Sequence, residues 1–402
     1  MTTLSAPVPV EGPDPAIAAR EAAIERTGWG NPVYLWQPRN ACFWVYVLGV
    51  GYGLWVLSGQ INTGIRLYAP ALAASAIIFA LYGVLFWWFT VRIDRYSRQP
   101  LRLVIAAFGW GGVAAAWGIA LSGNTALLSL YQKLFGQSFQ MAWGAGLTAP
   151  FFEELGKGAG VLLLLTLAPR VVRTAYDGFI LGAFAGLGFE ILEDISYGLN
   201  SAAEQFGSNQ LGTSLGTVGL RLLTGFSSHI LYSALVGAGI VYLVGTVAQR
   251  RRVGFGIALI LTSMLLHGAW DANVGLSGGN SGVLFLLLVS EILLSLAVVI
   301  WLFHYTVRPE RAAMRAVMAP EADRGVITLA ELEALSGGWK QRRAYRRAAH
   351  GRAERRSRHH RLEAAHDLAD QIAASAGAET ERVRFARDEL ARLAPASPQG
   401  PK

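Results

Sequence analysis

Residues 141–169 make an apolar stretch long enough to cross a bilayer, yet Glu153, Glu154 and Lys157 sit in its middle. An ionised side chain at the bilayer centre costs roughly 2.5 to 3.5 kcal/mol on insertion scales, so such groups face a partner or a water-filled cavity. The segment Phe151-Phe152-Glu153-Glu154-Leu155-Gly156-Lys157 therefore demands neighbouring helices, and polar groups upon them.

The rest of the chain supplies both. Of 402 residues, 53% are hydrophobic and 15% charged, and the mean hydropathy is +0.37, which places the chain among polytopic membrane proteins rather than soluble globules. Apolar runs of about 20 residues recur beside 46 glycines, the composition of closely packed helices and not of barrel strands, so the fold class is all-α. Cys42 is the single cysteine, which excludes an intramolecular disulfide and a Cys-based zinc cluster. The first forty residues carry Pro7, Pro9, Pro13 and Pro15 without hydrophobic periodicity, and read as a largely disordered tail with no cleavable signal peptide.

Spans are expected near 41–58, 69–91, 101–121, 141–168, 175–199, 219–247, 253–273 and 282–306, about eight transmembrane helices in a domain covering 41–306. Arg92, Arg95, Arg98 and Arg102, then Arg170 and Arg173, then Arg250 to Arg252 fall in alternate loops, which makes those loops cytoplasmic. Both termini are then cytoplasmic in a multi-pass protein of the cell membrane. From 307 onward the composition turns to Ala, Glu and Arg, a helical basic tail in which Lys340, Arg342, Arg343, Arg346, Arg347, Arg352, Arg355, Arg356, Arg358 and Arg361 favour anionic lipid headgroups. No aromatic stacking pattern accompanies these charges, so no nucleic-acid partner is expected.

The polar groups inside the apolar runs follow helical spacing. Glu153 and Lys157, four apart, share one face and can partly neutralise each other, while Glu154 is turned about 100° away. Gly182, Gly186, Glu190, Asp194 and Tyr197 fall along one stripe of the next span, with Glu193 beside it. Gly225, His229, Ser233 and Gly237 recur every four residues, as do Ser263, His267 and Asp271. Counted from the outer surface, Glu153, Glu193, His229 and His267 lie roughly 10 to 20 Å deep, in one layer that opens to the extracytoplasmic side. Capping of a helix by Glu190, or its pairing with Arg221 across the external loop, is an alternative use of that acid, and His304 reads as an inter-helix link.

Carboxylates beside imidazoles in a low-dielectric cavity suit hydrolysis. Glu153 or Glu154 takes a proton from water, and His229 with Ser233 stabilises the oxyanion. Equally, Glu153, Glu193, His229 and His267 are candidates to bind a metal, with zinc as Lewis acid, although the His-Glu-x-x-His spacing is absent and the sequence does not require the ion. Ser196, Ser227, Ser228 and Ser233 lie near the site, but none is in Gly-x-Ser-x-Gly. A proton-coupled transporter or channel is the rival reading, since Glu and His chains also build relays; the polar groups keep to spans four to seven, without the matching halves of a transporter.

Glu153-Glu154-x-x-Lys157, Phe189-x-x-x-Glu193 followed by Asp194, His229-x-x-x-Ser233 and His267-Gly-Ala-Trp-Asp271 resemble, in order and host helix, the motifs of the PrsW family of intramembrane proteases, related to the CAAX-processing and Abi-type group. The resemblance spans about residues 140–275, with Asp194 in place of a common Asn and Glu190 as an added acid. It implies an endopeptidase of glutamic or metallo type. Glu153 or Glu154 would activate water, Glu193 would position it, His229 would assist the oxyanion or hold a metal, and Lys157 would hold the pair's charge. The implied substrate is a single-pass membrane protein, such as an anti-sigma factor, cut near its extracytoplasmic side.

Overall fold

The computed structural model describes residues 14–225 and 228–393, and within them the chain is helical, without strands. It divides into two compact units, Pro32–Arg308 and the combination of Met1–Asn31 with Pro309–Lys402.

In the larger unit, helix α2 (Ala41–Ile93, after α1 at Pro15–Thr27) is written through by one residue in non-helical geometry, Tyr68 (φ −137°, ψ 38°), with Pro70 just beyond it. Tyr46 Oη donates to the Ala106 carbonyl at 2.9 Å, and Trp87 meets Phe108 edge-on at 5.6 Å. A straight helix would separate residues 46 and 87 by about 60 Å. Both reach neighbouring turns of α3 (Leu101–Phe135), so the helix doubles back near Tyr68 into two arms, where Pro70 cannot donate into the turn before it.

Helices α4 (Ala145–Leu167) and α5 (Ala175–Ser201) carry the intramembrane acids. A capping box between Thr174 and Asp177 starts α5, and every residue from Ala175 to Ile191 is buried, which makes it the axis of the unit. Its small stripe faces α7 (His229–Val244): a Cβ on Gly182 would lie 2.1 Å from the Ser233 carbonyl oxygen, and one on Gly186 2.2 Å from that of His229. Only glycine permits this approach. On the opposite side the wide π-helical stretch of α3, Trp110–Ala120, brings Gly111 and Gly112 against Ala185 and Gly188. Ser263 of α8 (Val253–Asp271) donates to the Tyr232 carbonyl of α7 at 2.8 Å.

The span expected over 219–247 is two helices, α6 (Gln210–Thr224) and α7, bent by 47°. The break falls at Gly225–Ser228, and Ser227 lies outside the described residues. The expected stripe of Gly225, His229, Ser233 and Gly237 is therefore cut after its first member. By length and composition α2, α3, α8 and α9 (Ser281–Asp323) can cross a membrane, and a fifth span results if α6 and α7 count as one.

In the smaller unit the expected disorder over 1–40 is corrected for residues 14–31, while residues 1–13 lie outside the described residues. Residues 15–27 form α1, because the Asp14 carboxylate caps the amide of Ala16 and Pro15 is suited to the first helical position. Arg20 of α1 donates to Glu321 Oε1 at 2.8 Å, and Trp29 Nε1 to Asp370 at 3.0 Å. Downstream come α10 (Leu329–Ser336), α11 (Trp339–Arg347), α12 (Arg352–Ala374) and α13 (Glu381–Arg392). Arg387 of α13 also reaches Glu321, at 2.7 Å, so one buried carboxylate joins the first and last helices. Glu331, capped into α10 by Thr328, accepts from Arg361 at 2.6 Å and from Tyr345 at 2.9 Å.

Candidate active site

Six helices of the larger unit, α3 to α8, deliver one polar cluster. Glu153 on α4 accepts from Asn124 Nδ2 of α3 through Oε1, at 2.9 Å. Its Oε2 is buried without a hydrogen bond, 3.7 Å from His229 Nδ1, 3.7 Å from His267 Nε2 and 3.9 Å from Lys157 Nζ. Glu154 is fully buried and fully engaged: Lys157 donates to it at 2.7 Å, His267 Nδ1 at 3.0 Å and Ser233 Oγ at 3.3 Å. Lys157 thus pairs with both acids, closely with Glu154 at i+3 and at 3.9 Å with Glu153 at the expected i+4, and its ammonium also donates to His229 Nδ1 at 2.8 Å and lies 4.2 Å over the Phe189 ring.

The two histidines are held from behind. His229 opens α7, where its backbone amide has no helical acceptor and donates instead to Glu190 Oε2 at 3.1 Å. With Nδ1 accepting from Lys157, Nε2 donates to Glu193 at 2.9 Å. His267, stacked on Tyr232 at 5.1 Å, donates from Nδ1 to Glu154 and has Nε2 3.3 Å from Asp271. Arg221 pairs with Asp194 and, at 3.2 Å, with Glu193, rather than with Glu190.

A cavity of about 150 Å³ opens onto Glu153, Glu190, Glu193, His229, His267 and Asp271, with Asn124 and Arg221 in its wall. Glu154, Lys157 and Ser233 are not among its lining residues. The oxyanion role expected of Ser233 is corrected accordingly, since its hydroxyl points to Glu154. Ser228 borders the cavity, Ser196 borders an adjoining cleft, and exposed His304 bonds its own helix at the Ile300 carbonyl. Sequence reasoning passed over Asn124, because a lone amide near the polar end of an apolar helix carries no signal until its neighbour is known. It also missed Tyr232, whose contact depends on the register of α7 against α8.

A family model described as PrsW family intramembrane metalloprotease matches residues 99–303, just over half of the chain. This chain belongs to the PrsW family. It is an intramembrane protease, and the match takes in α3 and the first part of α9, beyond the residues 140–275 that the motifs alone marked. Comparisons with curated proteins and with solved structures each gave no match.

The family's description names a metal, and the donors of this PrsW-family chain fit one. One ligand atom each from Glu153, His229 and His267 lies within 4.8 Å of the others. Tetrahedral bonds of 2.0–2.1 Å place donors about 3.4 Å apart, near the 3.7 Å observed. Each imidazole gives its remaining N–H to a carboxylate, Glu193 or Glu154, the arrangement that orients metal-binding histidines. Of the four metal candidates, Glu193 is the one set behind a histidine.

Proposed function

We propose that this enzyme hydrolyses a peptide bond of a single-pass membrane protein near its extracytoplasmic side, with Glu153 as the group that handles the proton of the attacking water. The observation that carries this reading is Glu153 Oε2: it is the one oxygen of the Glu153–Glu154 pair that combines a cavity wall with the lack of a hydrogen bond. Asn124 occupies Oε1 and so leaves Oε2 to accept the proton, which passes to the leaving amine as the bond breaks. Glu154 keeps Lys157 and His267 in place. Glu193, shared between Arg221 and His229, fixes the imidazole and borders the water's position. A divalent ion would be held by Glu153, His229 and His267 and would supply Lewis acidity at the scissile carbonyl, with Glu153 Oε2 then serving as its ligand rather than as the free proton acceptor.

The side of the membrane rests on chain order. Glu193 and Asp271 lie towards the C-terminal ends of α5 and α8 and His229 at the start of α7, at the ends away from Arg170, Arg173 and Arg250 to Arg252. Eight crossings are supported by the two arms of α2 and by the polar helices α4 and α5. An even number is supported by the unit in which residues 15–27 meet residues after 309, since both segments then lie on one side, the cytoplasmic one. The substrate class is a membrane-anchored regulator such as an anti-sigma factor, and the basic run on α11 and α12 contacts anionic headgroups. No observation favours a transporter or channel over the family's proteolytic chemistry.

Cleavage of a single-pass reporter by purified variants tests this. Glu153→Gln should fold normally and lose about 10²- to 10⁴-fold in rate, the worth of a positioned proton acceptor. Glu154→Gln should chiefly lower the thermal unfolding temperature, because it strips the buried Lys157 of its nearest carboxylate. Full cleavage by Glu153→Gln would overturn the assignment.

A further inference from the structure

Beside the polar cavity lies a second space of about 280 Å³ between α3 and α5, and the two meet at Glu153 and Glu193. Its walls are of another character: Trp117 and Leu121 on α3 face Phe189 and Tyr197 on α5. Leu121 and Tyr197 are nearly half exposed there, at 45% and 46%. We infer that this cleft is where the apolar segment of the substrate is seated, unwound and extended along α3, with its scissile bond delivered to Glu153. The inference rests on the reading of Glu153 given above.

The chemistry of the reacting bond decides the conformation of the occupant. The cleft has nearly twice the volume of a 150 Å³ cavity that accepts benzene, room for about two apolar side chains of an extended strand. A helical carbonyl is moreover committed to its own ladder, whereas an extended one is free to be attacked.

Two polar atoms match such a strand. Trp117 Nε1 and Asn124 Oδ1, both on α3 and both on residues lining the cleft, are buried without a hydrogen-bond partner among the described residues. A buried donor or acceptor is ordinarily satisfied. Seven residues part them, about 10 Å along α3, the span of about three extended residues. The indole N–H would donate to a substrate carbonyl and the amide oxygen accept a substrate N–H, one at each end of the seated segment. The Asn124 end lies beside Glu153, because the same amide donates to its Oε1.

The experiment uses the full chain in lipid vesicles with a single-pass reporter. In the Glu153→Gln background, a benzophenone amino acid replaces Leu121, Thr125 or, as a control on an exposed face elsewhere, Leu265. Photolysis should join the reporter to positions 121 and 125 at least five-fold more than to 265. In the active enzyme, Leu121→Trp should raise KM for the reporter ten-fold or more with kcat and thermal unfolding little changed. Equal cross-linking at all three positions, cross-linking of position 121 to lipid alone, or an unchanged KM in both Leu121→Trp and Thr125→Trp would overturn the cleft. Normal cleavage by Glu153→Gln would instead overturn the role of Glu153, while the cross-linking pattern would still judge the cleft.

Discussion

Glu153 and Glu154 adjoin in the chain and differ in everything around them. One ends in an oxygen without a hydrogen bond at a cavity wall; the other is closed in by Lys157, His267 and Ser233. Lys157 is the pivot, because its ammonium takes the lone pair of His229 Nδ1 that a metal would need. Lys157→Met should therefore raise zinc affinity ten-fold or more, read by calorimetric titration of the detergent-solubilised protein; equal affinities in the two forms would show that the ammonium is no competitor. The acids and histidines were legible in the sequence because a charge in an apolar run is conspicuous. Their division of labour was not, since the i+4 spacing of Glu153 and Lys157 does not show that Lys157 lies closer to Glu154, at 2.7 Å, than to Glu153, at 3.9 Å. Which rotamer wins depends on Phe189 and His229, contributed by other helices.

At the scale of the helices, the stripe of Gly182 and Gly186 sets how closely α5 meets α7, and hence where Glu190 meets the amide of His229. Gly186→Ala would drive a methyl group into the His229 carbonyl and should cost about 1 to 3 kcal/mol of stability, against a gain of up to about 1 kcal/mol for Gly216→Ala, where nothing lies within 4 Å. Thermal unfolding in detergent checks the pair; equal shifts would mean that the close approach is unimportant. Spacing of four along 182, 186 and 190 made this face readable beforehand. The 47° bend between α6 and α7 was not anticipated, although Gly225, Ser227 and Ser228 interrupt the apolar run there. The two apolar runs expected over 41–58 and 69–91 lie on either side of the break at Tyr68, with the polar Asn62, Thr63 and Arg66 just before it.

Over the whole molecule, the unit made from residues 15–31 and 309–393 is held by buried ion pairs whose strength depends on pH. Burial opposes ionisation of Glu331, but hydrogen bonds from Arg361, Thr328 and Tyr345 outweigh it and hold the carboxyl below its usual value near 4.5. A depressed folded value means stability that is fully present above about pH 4.5 and lost as pH falls through the folded one. Protease resistance of the residues after 309 should decline with acid in that window. In Glu331→Gln it should be lower at neutral pH and flatter with acid; an unaltered slope would assign the acid sensitivity elsewhere. Composition marked this region as basic and helical, but its partner segment at residues 15–27 was hidden, because prolines that flank a helix look like prolines in a tail. The joint at Glu321 adds a constraint on synthesis. Arg20 is made before residues 41–308 and Arg387 after them, so the carboxylate between them is fully matched only after every intervening span has been threaded. An odd number of insertions would strand the two arginines across the bilayer, so the closing of this joint reports on the parity of membrane integration.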